Sequence, residues 1–236
     1  MQLGTLFGVS VGPGDPELIT VKGLRLLQNV NIVAFPAGVQ GKSGMAEIIV
    51  NQWLQSHQLK LPLDFPYLQD EQILTQAWEN AAQTVWQYLK IGENVVFVSE
   101  GDVSFYSTFT YLAQSLLKLY PHAKIETIPG VSSPLAVAAI LGIPLTIKAQ
   151  KLIVLPAIYS MGELEKALDL ADVLVLMKVS SVYQQVWSVL AQRNLLTKSY
   201  IVQKATLPDM IIYEGLSDRS HLQLPYFSLL IVKVTD

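Results

Sequence analysis

The 236-residue chain contains no cysteine. That absence excludes disulfides, a thiolate nucleophile, and zinc–thiolate or iron–sulfur sites, and nothing points to an oxidising compartment. Charge is sparse: 15% of residues are charged, and sixteen Lys plus Arg against nineteen Asp plus Glu leave a net charge of -3. No basic field exists to hold nucleic acid, so no nucleic-acid partner is expected. Long hydrophobic runs are missing as well. The longest apolar stretch, residues 134–147, is broken by Gly142 and Pro144 and falls short of the ~18 residues that a spanning helix needs, so no membrane association is expected. No basic-then-apolar leader precedes Gly4, and a cytoplasmic location is the expectation. The three histidines, His57, His122 and His221, are far apart and match no ligand spacing, so no metal site is expected.

What the chain does have is apolar residues: 51% of the total, with a mean hydropathy of +0.37. Excess hydrophobicity without a membrane span is the mark of parallel sheets, whose strands are covered on both faces and become continuous apolar runs. Short Val-, Ile- and Leu-rich runs predict buried strands over 3–11, 31–35, 95–99, 125–128, 152–155, 173–177 and 200–202. Between most of them, helical periodicity predicts helices over 17–28, 46–55, 71–89, 108–119, 135–141, 163–171 and 182–193. The alternation means an α/β fold. Toward the end, 210–213 and 227–234 follow one another with only turns between, which suggests antiparallel strands closing a mixed sheet. Gly142-Ile143-Pro144 interrupts a helix, which places a domain boundary there: an N-terminal domain over 1–144 and a C-terminal domain over 145–236.

Three strand ends carry the chemistry. Gly12-Pro13-Gly14-Asp15-Pro16-Glu17-Leu18 follows the first strand. Asp15 suits an N-cap, Pro16 the first helical position and Glu17 the positive end of the helix dipole. The glycines let backbone approach a ligand at the carboxyl end of the strand. Three familiar signatures fail here. A dinucleotide fingerprint needs a glycine where Glu17 stands. In Gly38-Val39-Gln40-Gly41-Lys42-Ser43 the leading glycine of a phosphate loop would fall on Pro36, and a mobile loop capped by Ser43 is the plainer expectation. Gly8-Val9-Ser10-Val11-Gly12 fits a nucleophile elbow, with Asp209 or Asp218 and His221 downstream, but only nine residues precede Ser10 and none can supply the oxyanion amide. The segment from Ser99 through Glu100, Gly101, Asp102, Val103, Ser104, Phe105 and Tyr106 to Ser107 sets two carboxylates, a glycine and several hydroxyls after the most apolar strand. Pro129-Gly130-Val131-Ser132-Ser133-Pro134 repeats the arrangement after the next strand, and together these loops suggest a shared pocket.

Read together, these loops resemble the tetrapyrrole methylase family. Val175-Leu176-Met177-Lys178 and Gln203-Lys204-Ala205-Thr206-Leu207-Pro208-Asp209 fit the same pattern, in order over nearly the whole chain. The resemblance implies two α/β domains, a mostly parallel N-terminal sheet and a mixed C-terminal sheet, S-adenosylmethionine in the interdomain cleft, and a homodimer. It places Gly101, Asp102 and Val103, with Tyr106 and Ser107, on the methionine side of the cofactor. Ser132 and Ser133 contact it after the proline–glycine turn, and Met177 and Ala205 hold its adenine and ribose. Gly12, Pro13, Gly14 and Asp15 would line the tetrapyrrole side, and Lys42 and Lys178 would meet substrate carboxylates.

Within the family, segments 36–46, 65–67 and 105–109 most resemble the branch whose members methylate the C-20 meso carbon of precorrin-2 or cobalt-factor II in corrin synthesis, and the resemblance implies that activity here. The alternatives are a sibling acting at another ring carbon or on another substrate class, and a serine hydrolase using Ser10. The chain departs from the family pattern at Ser10 and Gly23, where glycine and alanine are common, and at Val103, where proline is usual. A sulfonium methyl donor is already activated and the tetrapyrrole supplies the electron density, so positioning and water exclusion can carry most of the barrier reduction, for which about 7–11 kcal/mol is accessible. Asp102 is the expected base or orienting group, with Glu100 and Tyr106 as further candidates.

Overall fold

The computed structural model describes residues 2–38, 42–66, 70–158 and 160–235. Residues 39–41 of the expected phosphate-loop look-alike and Tyr67 of segment 65–67 lie outside them. The chain divides into two compact units, one through Ser132 and one from Ser133 onward.

The first unit alternates β1 (Thr5–Ser10), α1 (Val21–Asn29), β2 (Ile32–Pro36), α2 (Met45–Val50), β3 (Leu59–Leu63), α3 (Glu71–Leu89), β4 (Val95–Ser99), α4 (Thr108–Leu119) and β5 (Lys124–Ile128). The strands pair in parallel in the order β3-β2-β4-β1-β5. All five residues of β4 are buried because both faces are covered. On one face Leu6, Ala34 and Phe97 pack with Ala81, Val85, Leu112 and Leu116 of α3 and α4. On the other, Val9, Val33, Val96 and Val98 pack with Leu27 of α1 and Ile49 and Val50 of α2.

The expected helix over 17–28 is in fact two pieces. A 3₁₀ turn, Pro16–Leu18, is capped by Asp15, and Thr20 then caps α1 by accepting from Gly23 N at 3.1 Å. The expected cap at Ser43 is replaced by Gly44, which offers α2 no side-chain bond. β3 had no expectation in the sequence.

The second unit contains α5 (Ser133–Ile140), β6 (Leu152–Leu155), α6 (Met161–Leu170), β7 (Val173–Met177), α7 (Tyr183–Gln192), β8 (Ser199–Gln203), β9 (Ile211–Glu214) and β10 (Ser228–Lys233). Its sheet has the order β6-β7-β10-β8-β9. β6 and β7 are parallel, whereas β10 runs antiparallel to β7 and β8, and β9 antiparallel to β8. α6 and α7 cover one face. Val137 of α5 packs with Val173, Val175, Val202, Leu229 and Ile231 on the other.

The division therefore falls at 132/133, ahead of the expected 144/145, and α5 belongs to the second unit. Its apolar side is what covers that face of the mixed sheet, and Lys233 of β10 donates to the carbonyls of Pro144 at 2.6 Å and Leu145 at 2.8 Å. Among the described residues no helix is long and apolar enough to cross a membrane. No group of three or more His, Cys, Asp or Glu among them could hold a metal ion.

Candidate functional site

In a parallel sheet all carboxyl ends point to one edge, and the site loops of the first unit leave from that edge. β1 ends at Ser10, β4 at Ser99 and β5 at Ile128, and β1 lies between the other two. The loops after β1 and β4 are joined by a two-way backbone bridge: Gly101 N donates to Gly12 O at 2.8 Å, and Gly12 N to Gly101 O at 3.3 Å. Both glycines have positive φ, +78° and +67°, a conformation that side-chain-bearing residues rarely adopt. At Gly101 no atom beyond the residue itself and its two chain neighbours lies within 4 Å of the position a Cβ would take. That side of the loop is open space, and backbone there can approach a ligand directly.

Asp102 is 9% exposed and its carboxylate accepts from donors of two loops. Oδ1 accepts from Ser104 N at 2.8 Å and from the Ser104 hydroxyl, and Oδ2 accepts from Gly130 N at 2.7 Å. Burial would raise its pKa. The hydrogen bonds from Ser104, Gly130 and the Ser10 hydroxyl together outweigh burial and hold the carboxyl below the usual carboxylate value. It stays charged and fixed between two loops. Gly130 can come this close only because it lacks a side chain: a Cβ there would sit 2.4 Å from Cβ of Ser10.

Behind the loop, the hydroxyls of Ser99 and Ser107 are 2.7 Å apart, and Ser107 caps α4 by accepting from Phe109 N at 3.1 Å. Tyr106 has φ 53° and is 52% exposed, its ring edge-on to Phe105 with centroids 4.7 Å apart. The first unit thus brings Gly12, Gly101, Asp102, Val103 and Ser107 into one network. Pro13, Gly14 and Asp15 continue the first loop, where Asp15 accepts from Glu17 N at 2.8 Å. Lys42 is exposed and makes no hydrogen bond with this network. Sequence reasoning missed the Gly130 amide as a partner of Asp102.

The hydrolase alternative makes Ser10 a nucleophile. It is fully buried, its Oγ accepting from Val103 N and donating to Ile128 O, each at 2.8 Å. A hydroxyl committed in this way cannot attack a substrate, which corrects the hydrolase reading. Two of the three departures from the family pattern, Ser10 and Val103, are bonded to each other.

In the second unit Met177 and Ala205 pack against the same apolar cluster as Val137 of α5, the helix that Ser133 begins. Ser132 closes the first unit. Lys178, in the left-handed conformation at φ 52°, is exposed, with its ammonium 5.6 Å from the centroid of the Tyr226 ring.

A cavity of about 990 Å³ opens in the first unit further along the same sheet edge, beside Gly38, Leu63, Phe65, Gln72, Gln76 and Asn80.

Comparison with known proteins agrees with this architecture. The family model described as Tetrapyrrole (Corrin/Porphyrin) Methylases matches residues 5–219. The cobalt-precorrin-2 C(20)-methyltransferase of Salmonella typhimurium is 33% identical over 230 residues, covering 97% of this chain and 96% of that protein. The precorrin-2 C(20)-methyltransferase of a Sinorhizobium species is 30% identical over 238 residues, covering 98% and 95%. Among solved structures, the uroporphyrin-III C-methyl transferase of Thermus thermophilus complexed with S-adenosyl homocysteine superposes with a TM-score of 0.69 at 18% identity, covering 97% of this chain and 92% of that one. With the family match spanning most of the chain and full-length relatives at 30% identity and above, this chain belongs to the tetrapyrrole (corrin/porphyrin) methylases.

Proposed function

We propose that the chain is an S-adenosylmethionine-dependent C-methyltransferase that methylates C-20 of precorrin-2 or of its cobalt-containing counterpart, cobalt-factor II, in cobalamin biosynthesis. One observation carries this reading: the two relatives named as C(20)-methyltransferases match at 33% and 30% identity along 96% and 95% of their own lengths. A match of that extent concerns the whole enzyme and not a shared module. The solved relative complexed with S-adenosyl homocysteine supports the choice of donor.

In the first unit, the open side of the Gly101 loop suits such a donor. Bound S-adenosylmethionine supplies a methyl group already activated on a sulfonium. The open side of Gly101 and the backbone through Val103 receive its methionine portion, with Tyr106, Ser132 and Ser133 nearby in the chain, and Met177 and Ala205 hold the adenine and ribose. Ser107 acts from behind, through Ser99 and the start of α4. Gly12, Pro13, Gly14 and Asp15 line the tetrapyrrole side. Lys42 and Lys178 meet its carboxylates as exposed ammonium groups.

Asp102 takes the orienting role and not that of base. A carboxylate held below its ordinary pKa by several donors is a poor proton acceptor, and its bonds to Ser104 and Gly130 fix the two loops. The enzyme works as a homodimer.

Incubation of the protein with precorrin-2 and, separately, with cobalt-factor II, using S-adenosylmethionine labelled with ¹³C in the methyl group, tests the reading. Carbon NMR is expected to locate the new methyl at C-20 of at least one product. A methyl on another ring carbon, or no product from either substrate, overturns it.

A further inference from the structure

We propose that Ser10 is a positioning residue, whose buried hydroxyl sets the position of the Gly101–Asp102–Val103 backbone against the loop after β5. The proposal rests on the reading that this backbone receives S-adenosylmethionine.

Ser10 ends the strand flanked by β4 and β5, where both neighbouring loops begin. It reaches them across 93 and 118 residues of sequence, accepting from Val103 N and donating to Ile128 O. Asp102 accepts from Gly130 N, and Gly130 rests directly on Ser10, leaving no room for a Cβ between them. The contacts close into a ring that runs from Ser10 to Val103, through Asp102 to Gly130, and back through Ile128.

Only a small side chain that both donates and accepts can complete it. Alanine would leave the N–H of Val103, a residue 2% exposed, without its acceptor, and a buried amide in that state pulls toward water or toward another carbonyl. Proline at position 103 has no N–H to satisfy. The serine and the non-proline residue therefore depend on each other.

A double-mutant cycle of Ser10→Ala and Val103→Pro tests this coupling. Binding of S-adenosyl homocysteine is measured by calorimetry, and the KM for S-adenosylmethionine is measured at saturating tetrapyrrole. Ser10→Ala is expected to weaken binding and raise that KM about tenfold, while kcat falls less than threefold. Val103→Pro added to Ser10→Ala is expected to restore at least part of the loss.

Amide exchange followed by NMR supplies a readout independent of turnover. The Val103 N–H should exchange at least tenfold faster in Ser10→Ala, with Val9 in β1 unchanged. Unchanged donor affinity and Val103 exchange in Ser10→Ala, or strictly additive effects in the double variant, would overturn the proposal while leaving the methyltransferase reading in place. A wild-type protein that binds no S-adenosyl homocysteine and methylates nothing would overturn both.

Discussion

At Asp102 two opposed effects meet, burial that disfavours charge and a set of donors that favours it, and the donors prevail. The sign of the pH dependence follows. A carboxyl whose folded pKa lies below the unfolded value of about 3.9 contributes stability that is complete above that value and is lost as pH falls through the lowered one. Denaturant titrations should show this contribution constant between pH 5 and 8, and its loss below about pH 4. Asp102→Asn should shrink that acid-side loss and cost about 1–3 kcal/mol at neutral pH, because an amide nitrogen would face donors that need an acceptor. The same geometry predicts a pH profile of kcat/KM with no limb from Asp102 between pH 5 and 8, whereas a general base tuned for turnover would place one there.

Tyr183 is the opposite case. Burial, opposed by the Arg219 charge and aided by Tyr213, pushes its phenol up to about 12, and its hydroxyl donates to Arg219 O at 2.7 Å. Its neutral form stabilises the second unit fully below about pH 10, and that contribution is lost as pH rises toward 12. Ultraviolet titration of tyrosinate should show one late-titrating group that vanishes in Tyr183→Phe, at a cost of about 1 kcal/mol in stability at neutral pH. At this scale the sequence showed which residues cluster, but not whom they bond. A serine at a strand end carries no periodic signal of its partners, and only the fold brings Val103 and Ile128 to Ser10.

Elements were most legible where the local code was complete. α3 and α4 begin and end where expected. Asp70 caps α3 by accepting from Gln72 N and Ile73 N, Ser107 caps α4, and each helix has a clear apolar side. β3 was illegible because Leu59–Leu63 carries a lysine and a proline and pairs only with β2 at the sheet edge, where burial imposes no continuous apolar run. α5 was assigned to the wrong unit for a related reason. Gly142 and Pro144 mark a break in helix, but a break does not say to which neighbour the helix before it is packed. Lys233 makes that connection by donating to two carbonyls just past the helix, and burial lowers its pKa. Lys233→Met should lose both bonds and lower the stability of the second unit by about 1–2 kcal/mol. Chemical denaturation would register the loss, with amide exchange rising together in β10 and around Leu145. No change in either would mean that the bonds add nothing beyond packing.

For the whole molecule, the all-parallel first sheet and the mixed second sheet account for the excess of apolar residues without a membrane span. The proposed homodimer has a direct check. Sedimentation equilibrium should give twice 26.1 kDa at micromolar protein, and a single-chain mass across the concentration range would refute it. The -3 net charge makes local placement of positive groups matter for a substrate carrying many carboxylates. Lys42→Ala and Lys178→Ala should therefore raise the KM for tetrapyrrole about two- to fivefold, more at low ionic strength than at high, because exposed charges are screened over about 10 Å at 0.1 M salt.

The amino-acid sequence by itself determined the α/β class, the apolar strands, the capped helices and the three glycine- and hydroxyl-rich loops, because each depends on residues that are neighbours along the chain. It also carried the family resemblance, since the loop motifs are local strings kept in order. Only the tertiary structure decided that Asp102 is held charged by Gly130, that Ser10 serves Val103, and that α5 belongs to the second sheet. Those outcomes depend on hydrogen bonds and packing between segments tens to more than a hundred residues apart, and which polar groups meet across such distances is settled by strand order and burial.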